Sequence, residues 1–337
     1  MSLIFLILTL LLAFLITLLV IPSWIKKAEV IGLMWENMNS IKREKIAGSG
    51  GIIVVLGFLI GVTSFIAYQV FYEHTQTNLI QIFALMIVII LLAGIGLVDD
   101  LLGWRRGGLR KRTRLVLVAL STIPLISINA GRSIISAPFF GQIDLGLIYP
   151  LIIIPLGIVG ASATYNFLAG FNGLEAGQGI IFLSGISLVS YFTGNYWVSI
   201  ICLCMIAPLL AFLLYNYYPA KILPGDSLTY SVGGLIAIAS ILGNFERIAV
   251  FFFIPYILEV ILKSRGGLVK QSFGKPEKDN SLGLVYEKFY SLNHISIYLL
   301  KKMNIKSTEK RAVYLIWAFQ ILIIILGFII FKEGIFS

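Results

Sequence analysis

The sequence predicts an all-α polytopic membrane protein of about ten transmembrane helices, with its polar chemistry gathered at one face of the membrane. Three observations carry that prediction. Of 337 residues, 58% are hydrophobic and only 12% are charged. The apolar residues fall in runs of roughly 20, the length that crosses a hydrocarbon core. The 26 lysines and arginines lie between those runs or at their edges, and all but Arg132, Arg247 and Lys332 fall in odd-numbered loops. Basic loops mark the cytoplasmic side of a membrane protein, so the odd-numbered loops are expected there and both termini outside.

The spans are expected at approximately 2–21, 50–71, 79–98, 115–129, 148–164, 178–193, 196–214, 227–243, 247–262 and 312–331. The first has no basic region before it and no small-residue cleavage site after it, which reads as a retained helix and not a signal peptide. Pro124, Pro150 and Pro155 predict kinks or irregular ends in the short fourth and fifth spans. Cys202 and Cys204 diverge on a helix and read as small apolar residues, not as a disulfide or metal pair. The chain is organised as a single membrane domain over 1–337. Residues 263–311 form a long cytoplasmic loop whose run Leu282 to Met303 suits an amphipathic helix at the membrane interface, with Val285, Phe289, Leu292, Leu299 and Met303 on its apolar side. His294 on that run is expected to be interfacial, and Glu259 to pair with Lys263 four residues on. The net charge of +10 then reflects an anionic leaflet and an anionic substrate, with no nucleic acid among the partners.

Every polar constellation worth naming lies on an odd-numbered loop, which points to one cytoplasmic-face active site. Loop one carries Glu36, Asn37 and Asn39. Asp99 and Asp100 close the third span ahead of a basic run containing Arg105, Arg106, Lys111 and Arg114. Loop five is Asn166 to Gly179, NFLAGFNGLEAGQG, and loop seven is NYYPAKILPGD, with Lys221 and Asp226. If loop five stays helical, Asn166, Gly170, Gly173 and Gly177 share a face, and Asn172 and Glu175 lie three apart on another. The glycines alone would fit a helix-packing strip. Asn166, Asn172 and Glu175 are not needed for packing, and polar groups at such depth favour a site. The aspartate pair could be solvated acids neutralised by Arg105 and Arg106, and Asp226 could be a helix cap. Together, three aspartates, two amides and a cationic fringe suit a diphosphate with a hard divalent ion.

These blocks, in this order and on this side, resemble the polyprenyl-phosphate N-acetylhexosamine-1-phosphate transferases, most closely the eukaryal and archaeal enzymes that act on dolichyl phosphate. The motifs that carry the resemblance are Asp99-Asp100 after a span, NFLAGFNGLEAGQ from Asn166 to Gln178, and NYYPAKILPGD from Asn216 to Asp226. The resemblance implies transfer of GlcNAc-1-phosphate from UDP-GlcNAc to dolichyl or another polyprenyl phosphate, with release of UMP, as the opening step of lipid-linked oligosaccharide assembly. It implies magnesium, or manganese in its place, held by Asn166 and Asp226. Gly170 and Asn172 would meet the uracil, Asp99 and Asp100 the reacting phosphates, and Lys111 the pyrophosphate. Glu175, Lys221, Glu36 and Asn39 complete the expected substrate contacts. Arg265 would substitute for the arginine and histidine cluster by which relatives recognise the sugar, and Leu223 replaces an aromatic ring that relatives can offer to the uracil.

Three alternatives stay open at this point: the same chemistry with another UDP-hexosamine or an undecaprenyl carrier, a nucleotide-sugar or cation transporter, and a covalent aspartyl-phosphate route through Asp99 or Asp100. The bilayer is an obligate partner and the architecture admits a homodimer. The short loops on the outer side favour an archaeal cell membrane over an endoplasmic reticulum.

Overall fold

The computed structural model describes residues 3–137 and 141–336, without side-chain detail at 104–106, 135–137 and 141–142. Among the described residues, eight helical stretches are long and apolar enough to cross a membrane. They are α1 (Leu3–Ile31), α2 (Gly51–Phe71), α3 (Leu79–Arg106), a π-helical turn (Tyr149–Ile153) continuous with α6 (Ile154–Phe167), α7 (Leu174–Phe192), α8 (Tyr196–Asn216), α9 (Gly225–Gly243) and α13 (Glu309–Ile330). The expected fourth and ninth spans are each broken in two. α4 (Lys111–Ser121) and α5 (Ile123–Ser127) meet at Thr122, with Pro124 opening α5; α10 (Glu246–Phe252) and α11 (Ile254–Arg265) meet at Phe253, with Pro255 opening α11. Proline lacks the amide proton and crowds the preceding turn, so it is tolerated only where a helix restarts. The ten expected spans thus resolve into eight continuous helices and two broken pairs.

The helices differ in how much of them the protein covers. Within the membrane-spanning part of α9, 83% of residues are buried, against 22% for α1. α9 is therefore the central post and α1 a peripheral helix whose Leu3, Ile7, Leu11 and Leu19 are left for lipid. α3, α6, α7 and α2 all pack against α9. What limits their approach is side-chain size at the contact. A Cβ on Gly96 of α3 would lie 2.4 Å from the Ser227 amide of α9, and small residues at such contacts are how membrane helices pack closely.

The polar segments close one end of this bundle. A hairpin of β1 (Met34–Glu36) and β2 (Lys45–Ala47) follows α1, and Ala47 bridges to Ile222 in the connection between α8 and α9. The long loop after α11 is built differently from the amphipathic helix expected over Leu282–Met303. Leu282–Gly283 is β6, paired with β5 (Lys275–Pro276), and α12 is only Leu292–Lys302, so Val285 and Phe289 precede the helix. α12 buries Leu292, Asn293, His294 and Ile297 and leaves Leu299 exposed, with Met303 exposed at its C-terminal cap. Glu259 and Lys263 feel each other's charge as expected, but each makes its hydrogen bonds elsewhere. Glu259 Oε2 accepts the Leu292 amide at 2.7 Å and so tethers the start of α12, while Lys263 donates to the Lys270 carbonyl at 3.1 Å. His294 is correspondingly buried, not interfacial, and burial lowers its pKa below the ordinary imidazole value.

Candidate active site

The site starts where α3 ends and α9 begins. Gly225 opens α9 with φ of +70°, a conformation side chains rarely adopt, and a Cβ there would sit 2.1 Å from Asp100 Oδ2. Glycine thus lets the carboxylate of Asp100 lie against the turn, where its Oδ1 accepts the Asp226 amide at 2.8 Å. Asp226, the second residue of α9, makes no side-chain cap for its own helix. Its Oδ2 instead accepts from Arg114 of α4 at 3.1 Å, and the same guanidinium nitrogen donates to Asp99 Oδ2 at 2.5 Å. Asp99 Oδ1 takes the Leu109 amide at 2.6 Å.

This arrangement separates the two neighbouring aspartates. Asp99 has both oxygens engaged, holding Arg114 and the turn before α4. Asp100 keeps Oδ2 buried and without a hydrogen-bond partner, an arrangement that is costly unless a ligand completes it. Adjacent residues on a helix diverge by about 100°, which is why one faces α4 and the other α9. Burial opposes the charge of Arg114, and Tyr230, Asp99 and Asp226 outweigh it, so its pKa is raised and the guanidinium stays protonated.

Two cavities meet at these residues. The larger, about 590 Å³, is lined by Glu36, Ser49, Asp100, Asn166, Gly170, Asn172, Glu175, Leu223, Asp226 and Phe273 among others. The smaller, about 300 Å³, is lined by Asp99, Gly108, Leu109 and Arg114. Trp35, Asp100 and Asp226 belong to both.

The far wall of the larger cavity corrects the helical reading of loop five. α6 stops at Phe167 and α7 starts at Leu174, with Gly170 at φ +109° and Gly173 at φ +80° between them. The four residues expected on one face are dispersed: Asn166 and Gly170 line the cavity, Gly173 starts a helix, and Gly177 packs on Trp317 of α13, whose ring a Cβ would meet at 2.0 Å. Gly170 lies under the ring of Phe273, 2.9 Å from where its Cβ would be. Glu175 Oε1 accepts the Gly170 amide at 3.0 Å, and its Oε2 and Asn172 Nδ2 are buried without partners.

Of the residues expected from the sequence, Asp100, Asn166, Asp226, Gly170, Asn172, Glu175 and Glu36 line the larger cavity and Asp99 the smaller. Asn39 lines neither; its amide bonds the Gly170 carbonyl at 2.6 Å and accepts the Gly274 amide at 3.1 Å. Lys111, Lys221 and Arg265 are exposed and outside both cavities, and Lys111 donates to the Leu268 carbonyl at 3.2 Å. Residues 105 and 106, the other expected cations, have side chains outside the described residues. The cation that reaches the aspartates is Arg114, one turn beyond Lys111 on α4. Sequence reasoning also passed over Trp35, Phe273 and Glu309. Phe273, from a loop the motifs do not cover, places an aromatic ring in the same cavity that Leu223 lines.

Among the described residues no group of three or more His, Cys, Asp or Glu side chains converges on a metal-sized site. Two carboxylates, Asp100 and Asp226, stand at the junction, and the Asn166 amide lines the larger cavity with them. That set suits a hard ion such as magnesium, which takes few protein oxygens and keeps waters and substrate phosphates for the rest.

The profile of glycosyl transferase family 4 matches residues 82–244. A Saccharolobus solfataricus protein, provisionally named UDP-N-acetylglucosamine–dolichyl-phosphate N-acetylglucosaminephosphotransferase, is 35% identical over 309 residues, covering 90% of this chain and 89% of its own length. A Sulfolobus acidocaldarius protein with the same provisional name is 30% identical over 328 residues, covering 97% and 96%. The Dictyostelium discoideum protein of that name is 28% identical over 264 residues, covering 68% and 62%. On this likeness along nearly its whole length, the chain belongs to glycosyl transferase family 4, the polyprenyl-phosphate N-acetylhexosamine-1-phosphate transferases that its motifs resemble.

Proposed function

We propose that this protein transfers N-acetylglucosamine 1-phosphate from UDP-N-acetylglucosamine to dolichyl phosphate, giving the lipid diphosphate sugar and UMP. The observation that supports it best is the junction of the two cavities at Asp100 and Asp226. The larger has the volume and mixed lining of a nucleotide-sugar site, and the smaller brings a second phosphate within reach of Arg114. α4 continues from Arg114 with exposed Leu115, Val116 and Leu120, an apolar face along which an isoprenoid chain can lie.

An oxygen of the lipid phosphate attacks the β-phosphorus of the nucleotide sugar, and the bond from that phosphorus to the oxygen bridging the two phosphates breaks, so that UMP leaves. A phosphate monoester has its second pKa near 6 and is largely a dianion at neutral pH, so the attacking group needs no strong base. What the chain supplies is position and charge balance. Arg114 neutralises negative charge between the two phosphates, Asp99 holds Arg114 in place, and the turn at Gly225 fixes Asp100 beside Asp226. Asn166, Asp226 and Asp100 would hold magnesium, or manganese, which when bound supplies charge neutralisation on the phosphate oxygens. The unpartnered Asn172 amide and the Phe273 ring favour a flat base carrying a carbonyl at the far wall. The distribution of basic residues supports a cytoplasmic position for this end of the bundle, and the short loops on the other side favour an archaeal cell membrane.

A transporter would carry its polar groups near the middle of the spans. Here they cap the ends of α3, α6 and α9. The test is UMP release from UDP-N-acetylglucosamine by the purified protein with magnesium, with and without dolichyl phosphate. Release that depends on the lipid supports the reading; no release with folded protein, and none with other UDP-hexosamines or polyprenyl phosphates, overturns it.

A further inference from the structure

Glu309 opens α13, where a carboxylate would ordinarily be accounted for by the helix dipole. It is buried, and its Oε1 leaves its own helix to accept the Asn172 amide at 2.7 Å and the Asn39 side-chain amide at 3.2 Å. Asn39, on the β1–β2 hairpin, uses the rest of its amide on the Gly170 carbonyl at 2.6 Å and the Gly274 amide at 3.1 Å. Two side chains, neither lining a cavity, thereby tie together four segments that do line or flank the larger one: the hairpin, the loop 168–173, the loop carrying Phe273, and the start of α13. Loop 168–173 has no regular structure of its own, and Gly170 and Gly173 adopt left-handed backbone within it. Side chains hold its shape: Glu175 takes the Gly170 amide at 3.0 Å, Asn293 donates to the Ala169 carbonyl at 3.1 Å, and from α13 the Glu309 carboxylate takes the Asn172 amide in a charge-assisted bond.

We propose that Asn39 and Glu309 form a latch that fixes loop 168–173 against Phe273, making both positioning residues for the nucleotide half of the donor. The assignment rests on the donor reading given above. The latch lies at the wall opposite Arg114, so its loss weakens nucleotide binding and leaves the lipid phosphate side intact. A merely structural role would instead lower stability and both substrates' turnover together.

The test is binding of UDP to the purified full-length protein by calorimetric titration, with KM for each substrate, in Asn39→Ala, Glu309→Gln and the pair Asn39→Asp/Glu309→Gln. Each single variant is expected to weaken UDP binding about tenfold, the effect of roughly 1.4 kcal/mol. KM for UDP-N-acetylglucosamine rises in parallel while KM for dolichyl phosphate stays within about twofold. In the paired variant the amide and carboxylate exchange places and the contact between positions 39 and 309 can re-form, but a carboxylate at 39 cannot donate to the Gly170 carbonyl, so UDP binding stays as weak as in the single variants; recovery of wild-type binding would overturn the latch. UDP affinity within about twofold of wild type in both single variants, with melting temperatures unchanged, overturns the latch. A drop in melting temperature with both KM values raised also overturns it, in favour of a structural role. Wild-type protein that binds UDP but releases no UMP with lipid present defeats the donor reading and leaves the latch tested by the titration alone.

Discussion

The two ends of the larger cavity are built on opposite principles. At the aspartate end, Asp99 and Asp100 stand about two turns before the end of α3 and Asp226 on the first turn of α9, and the two helices are pressed together at Gly96 and Gly225. At the opposite end, Gly170 and Asn172 stand on an irregular loop, held by side chains from residues more than a hundred positions away in both directions. Groups on rigid elements hold charge where a reaction develops it; a loop held by a few hydrogen bonds shapes a binding surface and can be weakened one bond at a time. Catalytic rate should therefore depend on the first end and donor affinity on the second.

The sharpest way to break that division is at Asp226. Asp226→Asn keeps the shape of the side chain and removes one charge from the junction, and the expected outcome is a loss of turnover of about a thousandfold or more with the protein still folded, read as UMP release beside a melting curve. Activity within about tenfold of wild type would take Asp226 out of the chemistry. Arg114→Ala comes next. It leaves Asp99 and Asp226 unneutralised, and turnover should fall roughly a hundredfold, with Arg114→Lys recovering part of it because charge returns without the two-way geometry. An equal loss in both variants would mean that geometry, not charge, is what Arg114 contributes. Removing divalent ions with a chelator should abolish turnover and adding magnesium or manganese restore it; activity that survives the chelator would remove the ion from the account. Gly225→Ala should cost about 1–3 kcal/mol of stability from the backbone conformation alone and lower turnover further by displacing Asp100, a pairing that separates it from an ordinary destabilised variant.

The smallest effect should come from the residues the motifs brought forward and the fold does not. Lys111→Ala, Lys221→Ala and Arg265→Ala alter exposed cations outside both cavities, and each is expected to change kcat/KM by no more than about threefold. The reason they stood out in the sequence is instructive. The basic run after Asp100 offers several cations within one short stretch, and nothing in their order says which one faces the aspartates. That depends on where α4 starts and on its rotation, and the left-handed turn at Gly107 and Gly108 sets both. The same limit explains Glu309, Asn39 and Phe273. Their roles come from contacts between residues 39, 170, 273 and 309, which lie far apart in the sequence, and no local pattern encodes such a meeting.

What was legible followed from strong local constraints. A bilayer admits few ways to satisfy the backbone, so apolar runs declared themselves as spans, and polar residues at the ends of those runs declared a site. The irregularity expected at Pro124 is the break between α4 and α5, whereas the restart at Pro255 in the ninth span was not anticipated. Loop five lines the larger cavity but not in the helical shape expected, because glycine permits both a helix and the left-handed turns observed at Gly170 and Gly173.

The bond proposed to react at the junction of the two cavities is a phosphorus–oxygen bond, not a bond to the sugar. Donor labelled at the β-phosphorus tests that proposal directly. Incubated with the purified protein, magnesium and dolichyl phosphate, the label should move into the lipid product while the released nucleotide is unlabelled UMP. Label recovered in UDP, with the sugar on the lipid, would mean that the carbon–oxygen bond of the sugar had broken instead, and would contradict the account.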